Sequence, residues 1–326
     1  FKGEQIKALP ARNMGLVHAV LPRDQIVAAA KEWLKANPQA KQPWEDPKFK
    51  LPSNKVHSPA GMQIWPPANA IYRRETNDNY PAARAILSAV YEGLQLPMDL
   101  ALKVESRYFA KILRTKEAAS MIRSLFVSMQ ELNKGARRPA EVPPSKLKKV
   151  GIVGAGFMGA GIAYVTALAG LDVVLVDRDM EAAEKGKAYS HKLVSDQIMK
   201  GRAKTADRDA LLGRIKPSAD YADLKGCDLV IEAVFEDPKV KAEVIAKVEA
   251  VVGPKTIFGS NTSTLPITGL ASHSQRPKNF VGIHFFSPVE KMMLVEIIMG
   301  KKTGDKALAM ALDYVRAIKK TPIVVN

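Results

Sequence analysis

One short stretch limits this chain more than any other. Lys149-Val150-Gly151-Ile152-Val153 is a β-branched run that leads straight into Gly154-Ala155-Gly156-Phe157-Met158-Gly159. A helical segment from Ala160 to Ala169 follows, and then Gly170. Asp172-Val173-Val174-Leu175-Val176 reads as a second strand and ends in Asp177, 18 residues beyond Gly159. A glycine turn between a strand and a helix, with an acidic residue at that distance, is the pattern of a dinucleotide-binding βαβ unit. Gly154 allows the tight turn out of the strand. Gly156 leaves room for a pyrophosphate against the backbone, and Gly159 lets the helix pack close to the sheet. Phe157 and Met158 sit between them, at the helix start, where unpaired N–H groups and the positive end of the helix dipole face the phosphates. Asp177 can accept hydrogen bonds from ribose hydroxyls and repel a 2′-phosphate, so NAD is expected rather than NADP, with Arg178 working weakly against that preference.

After this unit, apolar strands alternate with helical patterns, the sign of a parallel sheet covered by helices. The fold class expected is α/β, a doubly wound sheet of Rossmann type. Its later strands are Cys227–Val234, Thr256–Ser263, Phe280–Pro288 and Leu294–Ile298, all with polar groups at their ends. In open α/β sheets ligands gather at the carboxyl ends of strands. His284 interrupts an apolar run between Ile283 and Phe285, and Glu296 interrupts another strand 12 residues later. A buried histidine needs a partner. The two are expected to meet as an acid/base pair, the carboxylate orienting the ring and stabilising imidazolium. A histidine merely satisfied in the core is the competing reading from these residues alone.

Three ordered segments carry a family resemblance: Asn261-Thr262-Ser263-Thr264-Leu265, His284-Phe285-Phe286-Ser287-Pro288-Val289 and Leu294-Val295-Glu296-Ile297. With the glycine turn, the set resembles the 3-hydroxyacyl-CoA dehydrogenases. The resemblance implies that His284 takes the proton from a 3-hydroxyl, that Glu296 is its electrostatic partner and that Ser263 hydrogen-bonds the substrate oxygen near the nicotinamide. It also implies cofactor contacts at Ala233, Glu236, Lys241 and Ser287; for the charged pair, the plainer reading is a solvated surface. Ser287 stands where family members commonly have Asn, and serine has a shorter reach. A family Asn expected just past Asn326, and the helical domain that closes over acyl-CoA, are expected outside this chain.

The residues before the dinucleotide unit read differently. Helices are expected at 23–36, from Pro81 to Tyr91, from about Met98 to Leu113 and from about Lys116 to Asn133. The proline-rich stretch from Asn37 to about Pro67 is expected to be irregular. Pro139, Pro143 and Pro144 mark a linker. Gly15–Pro22 followed by a helix resembles the tail of a crotonase-like enoyl-CoA hydratase domain. Asn79–Leu87 and the helix ending near Asn133 resemble the connector of multifunctional β-oxidation proteins. The expected division is a hydratase remnant at 1–50, a mainly helical connector at 51–146 and the Rossmann domain at 147–326. The start, Phe1-Lys2-Gly3-Glu4, suggests a fragment, with the hydratase glutamates upstream, so no hydratase activity is expected of this chain. His18 and His57 are expected to be structural or exposed.

A net charge of +16 favours anionic partners. The basic residues are dispersed, without an aromatic-interleaved stripe or nucleic-acid module, so a solvated basic surface is expected and no nucleic-acid partner. Acyl-CoA is the expected substrate, a thiolase subunit a further partner and oligomerisation open. The single Cys227 offers no disulfide and no zinc spacing. No metal and no transmembrane segment are expected, and a cytoplasmic setting fits. Two rivals stay open: a dehydrogenase of another hydroxy acid, and a non-catalytic module that binds NAD or scaffolds a complex.

Overall fold

The computed structural model describes residues 5–51 and 54–326. The expectation drawn from Phe1–Glu4, and the place of Pro52 in the irregular stretch, lie outside the described residues. The chain divides into two compact units, one running up to Ser128 and the other from Met129 to Asn326.

The first unit is helical: α1 (Ala8–Asn13), α2 (Ile26–Ala36), α3 (Pro59–Met62), α4 (Trp65–Thr76), α5 (Pro81–Gly93), α6 (Met98–Leu113) and α7 (Lys116–Met121). A π-type turn, Ile122–Ser128, follows α7. The expectation of an irregular segment up to Pro67 fails at its end. Ser58 caps α3, its Oγ accepting from the Gly61 N–H at 3.1 Å, and α4 begins at Trp65 with Pro66 and Pro67 in its first turn. Proline is tolerated there because first-turn N–H groups have no intrahelical acceptor. His18 and His57 are both exposed, the latter 2.8 Å from Gln95 Oε1.

The second unit contains α8 (Met129–Asn133), β1 (Lys149–Val153), α9 (Phe157–Leu168), β2 (Asp172–Val176), α10 (Met180–Met199), α11 (Thr205–Gly213), β3 (Ile215–Ser218), β4 (Leu229–Glu232), α12 (Pro238–Val251), β5 (Ile257–Ser260), α13 (Ile267–Leu270), β6 (Phe280–Phe285), β7 (Leu294–Ile298), α14 (Asp305–Ala317) and β8 (Thr321–Val325). The strand order is β3-β2-β1-β4-β5-β6-β7-β8. All neighbours from β3 to β6 are parallel; β7 runs antiparallel to β6, and β8 parallel to β7. The expected all-parallel continuation therefore ends at β6. Only residues 286–293 join β6 to β7, and a parallel crossover needs roughly a dozen or more. Pro217 and Pro322 sit in the two edge strands, where a missing N–H costs least.

The sheet is buried on both faces. Val150 and Ile152 of β1 pack in one layer with Ile162 of α9 and Leu312 of α14, while Val153 packs in the other with Val244 and Val248 of α12. The proline-rich segment before β1 is held against α14. Arg138 Nε and Nη2 donate to Asp313 Oδ1 and Oδ2 at 2.7 and 2.9 Å, and Arg138 also donates to the carbonyls of Pro139, Val142 and Pro143. Among the described residues no helix is long and apolar enough to cross a membrane, and no group of three His, Cys, Asp or Glu is placed to hold a metal ion.

Candidate active site

The strand order reverses direction between β1 and β4, and there the glycine turn lies. Gly154 has φ +97°, and its N–H donates to Val176 O at 2.8 Å. A Cβ on Gly154 would lie 2.6 Å from Ala233 O, so the turn is seated on the end of β4. A Cβ on Gly159 would collide with Gly154 O. Gly156 differs, because a Cβ there would meet nothing within 4 Å. The open space above it continues into a cleft of about 570 Å³ lined by Gly156, Phe157, Asp177, Arg178, Lys185 and Tyr189. Phe157 is exposed at the start of α9, Met158 is half-buried against the core, and the first-turn N–H groups of α9 are available to an anion.

Asp177 follows β2. Its Oδ2 accepts from the Ala155 N–H at 2.5 Å and its Oδ1 from the Arg178 N–H at 2.7 Å. The carboxylate is thus fixed against the turn. The Arg178 guanidinium is turned to Asp179, with Nε 3.1 Å from Oδ2, which offsets the charge that would welcome a 2′-phosphate. An open glycine cradle, a helix N-terminus and a fixed carboxylate at the end of β2 are the parts NAD requires, so these residues fit that cofactor.

A buried ionic network lies at the carboxyl end of β4. Lys241 of α12 is 1% exposed, and its Nζ donates to Glu232 Oε1 and Oε2 at 2.8 and 2.9 Å. It also lies 3.1 Å from Glu236 Oε2. Lys241 is therefore not a solvated surface charge, contrary to the plainer expectation. Glu236 Oε1 accepts from the Thr262 hydroxyl, from the Ser263 N–H at 2.9 Å and from the Thr264 N–H at 3.2 Å. Burial would raise the Glu236 carboxyl, but the hydrogen bonds from Thr262 and Lys241, the Lys241 charge and the Ser263 N–H hold it down at about 2. Glu236 thus organises the loop that presents Ser263, which is exposed. Ala233 is tied to β1, its N–H donating to Val153 O at 2.7 Å.

His284 and Glu296 are register partners across the antiparallel β6–β7 pair. His284 Nδ1 lies 2.8 Å from Glu296 Oε2. Strand alternation explains the placement. Ile283, Phe285, Val295 and Ile297 enter the core layer, so His284 and Glu296 project to the other side, where their side chains keep 17% and 28% of their exposure. Phe286 packs on the ring with centroids 4.7 Å apart. With Nδ1 turned to the carboxylate, Nε2 is the nitrogen left to exchange a proton. Ser263 follows the carboxyl end of β5 and His284 is the penultimate residue of the adjacent parallel strand β6, and Asn261 Oδ1 ties the two by accepting the Phe285 N–H at 2.8 Å. Ser287 is exposed just beyond β6.

Two contributors escaped the sequence reading. Glu232 reads in the sequence as part of an apolar strand, yet it receives Lys241 and the Ser260 hydroxyl. An acid closing an apolar strand nine residues before a lysine was the available signal. Asn261 stands in a motif whose pattern does not announce its bracing of Phe285.

Residues 149–326 match the family model described as 3-hydroxyacyl-CoA dehydrogenase, NAD binding domain. Along 99% of its length the chain is 37% identical to the fatty acid oxidation complex subunit alpha of Pseudomonas paraeruginosa, and 36% to that of Pseudomonas putida. It spans 45% of each of these relatives. Among solved structures, (S)-3-hydroxybutyryl-CoA dehydrogenase from Ralstonia eutropha is 42% identical with a TM-score of 0.54, over 55% of this chain and 64% of that one. The dehydrogenase part of a multifunctional enzyme from C. elegans is 34% identical with a TM-score of 0.51, over 56% of this chain and 42% of that one.

Proposed function

This chain belongs to the 3-hydroxyacyl-CoA dehydrogenase family and carries its NAD-binding domain, and from that premise we propose that it serves the NAD-dependent oxidation of (3S)-3-hydroxyacyl-CoA to 3-ketoacyl-CoA in fatty-acid β-oxidation. The observation that carries the reading is the 2.8 Å contact of His284 Nδ1 with Glu296 Oε2 at the sheet end that also bears the glycine cradle and Asp177.

His284 accepts the proton of the 3-hydroxyl through Nε2, and Glu296 stabilises the imidazolium that results. Bound NAD supplies the acceptor for the hydride that leaves C3. The Ser263 hydroxyl, on the loop that Glu236 holds, hydrogen-bonds the substrate oxygen. Gly154, Gly156, Phe157, Met158 and Gly159 receive the pyrophosphate, and Asp177 receives the ribose. Ala233 and Glu236 would contact the cofactor, the buried Lys241 would act there through Glu236, and Ser287 takes the place of the family's asparagine.

The wider setting is part of the same proposal. Residues 1–50 are the remnant of a crotonase-like hydratase domain, 51–146 the connector and 147–326 the dehydrogenase NAD domain of a multifunctional cytoplasmic protein. A thiolase partner subunit belongs to the same proposal, on the likeness to fatty acid oxidation complex subunits alpha. The exposed apolar side chains of α2, Ile26, Val27, Trp33 and Leu34, support a segment that packs elsewhere in a longer chain. The test is turnover by the natural protein that contains this chain, followed as NADH formation with 3-hydroxybutyryl-CoA and with free 3-hydroxybutyrate. Turnover of the thioester but not the free acid is expected; preference for the free acid would overturn the substrate assignment.

A further inference from the structure

Eight residues, 286–293, join the strand of His284 to the strand of Glu296. Lys320, at the junction of α14 and β8, reaches this loop from beneath. Its Nζ donates to Val289 O at 2.6 Å and to Met292 O at 2.5 Å, and the residue is 7% exposed. No carboxylate among the described residues lies within ion-pair distance of it. Lys319, just before it, adopts φ +59°, a backbone conformation that a residue with a side chain adopts at some cost.

A buried ammonium facing carbonyls alone is a poor choice for stability. Desolvation is expensive, and an apolar side chain would fill the same space. Burial pushes the Lys320 ammonium down, with the Glu290 charge working against that shift. What the ammonium does supply is geometry, since it fixes two carbonyls three residues apart in one loop. Other contacts brace the same loop. The Val289 side chain is buried in the notch left by Gly161 of α9, where a Cβ would lie 2.8 Å from Val289 Cβ. The Tyr189 hydroxyl of α10 donates to Glu290 Oε2 at 3.0 Å, and the Thr321 N–H donates to Met293 O at 2.8 Å.

We propose that Lys320 is a positioning residue for the reaction: it fixes the β6–β7 loop and thereby the alignment of His284 with Glu296 and the placement of Ser287. This rests on the reading of His284 as the base. Lys320 touches neither partner of that pair and acts only through the loop.

Lys320→Met removes the ammonium and keeps the bulk. Two measurements decide. The first is the nitrogen spectrum of the His284 imidazole in this chain, assigned by its loss in His284→Gln. The Nδ1–H form held by Glu296 is expected in the wild type, and its signature is expected to shift or broaden in Lys320→Met. The second is turnover by the natural protein, where kcat is expected to fall on the order of tenfold or more while NADH affinity stays within about twofold. A variant that melts cooperatively and keeps both the wild-type nitrogen signature and wild-type kcat overturns the proposal. So does a loss of kcat matched by an equal loss of NADH binding, which a purely structural role would give. If Lys320→Met does not fold, Lys320→Gln, which keeps an uncharged N–H donor group on a shorter side chain, is expected to give an intermediate kcat, and a wild-type kcat there overturns the proposal. If the wild type turns over no thioester, the functional reading falls, and the nitrogen signature then decides only whether Lys320 holds the alignment of His284 with Glu296.

Discussion

His284 Nδ1 and Glu296 Oε2 lie 2.8 Å apart because the two residues face each other in the register of β6 and β7. The short loop that forces β7 to run antiparallel also brings the base and its carboxylate together. A parallel strand in the same place would have needed a long crossover and a different register.

Glu296→Gln keeps a hydrogen-bond acceptor but removes the charge that stabilises imidazolium. The expected result is a fall in kcat on the order of tenfold to a hundredfold with NADH affinity unchanged. Steady-state kinetics beside a binding titration check it.

Gly156→Ala is expected to fold normally, since a Cβ there meets no protein atom, and to weaken NADH binding on the order of tenfold by filling the phosphate cradle. Gly159→Ala is expected to lower stability by about 1–3 kcal/mol, because its Cβ collides with the Gly154 backbone. Denaturant melts and NADH titrations separate the two effects.

Lys241→Met leaves Glu232 buried without its cation, and is expected to cost about 3–5 kcal/mol. The double variant Lys241→Met with Glu232→Gln is expected to recover part of that loss. No recovery in chemical denaturation would show that the pair does not act as a unit.

Glu236 titrates at about 2 in the folded chain, against 4.5 for an unperturbed carboxyl. A folded value below the unfolded one means the stabilisation is fully present above the unfolded value and is lost as pH falls through the folded one. The stability gap between wild type and Glu236→Gln is therefore expected to be constant above about pH 5 and to narrow from 4.5 towards 2. Denaturant melts across that range check it, and a gap that does not narrow on acidification counts against the network.

Asp177→Ala is expected to weaken NADH binding on the order of tenfold and to narrow the gap to NADPH. Asp177→Asn should lose less, since its amide oxygen can still accept the Ala155 N–H. Titration of each variant with both nucleotides reads the difference.

The glycine turn, Asp177 and the His284–Glu296 pairing were legible because each rests on local pattern: period-two strands, fixed spacing and a polar residue in an apolar run. α6 was legible for the same reason, and its observed bounds coincide with those expected. β3 was not, because Ile215-Lys216-Pro217-Ser218 is short, charged and interrupted by proline, and only its edge position makes it a strand. The start of α4 was missed because Pro66 and Pro67 look like breakers until they are placed in a first turn. Glu232–Lys241 and Lys320 were hidden because their partners are set by tertiary packing, which no spacing announces.

The most direct measurement is a single turnover of the natural protein with nucleotide already bound, followed at 340 nm after adding (3S)-3-hydroxybutyryl-CoA, for the wild type and His284→Gln. The account predicts rapid NADH formation in the wild type. In the variant, with NADH affinity unchanged, it predicts a rate lower by roughly 10²–10⁴-fold. Equal rates in the two proteins would contradict it.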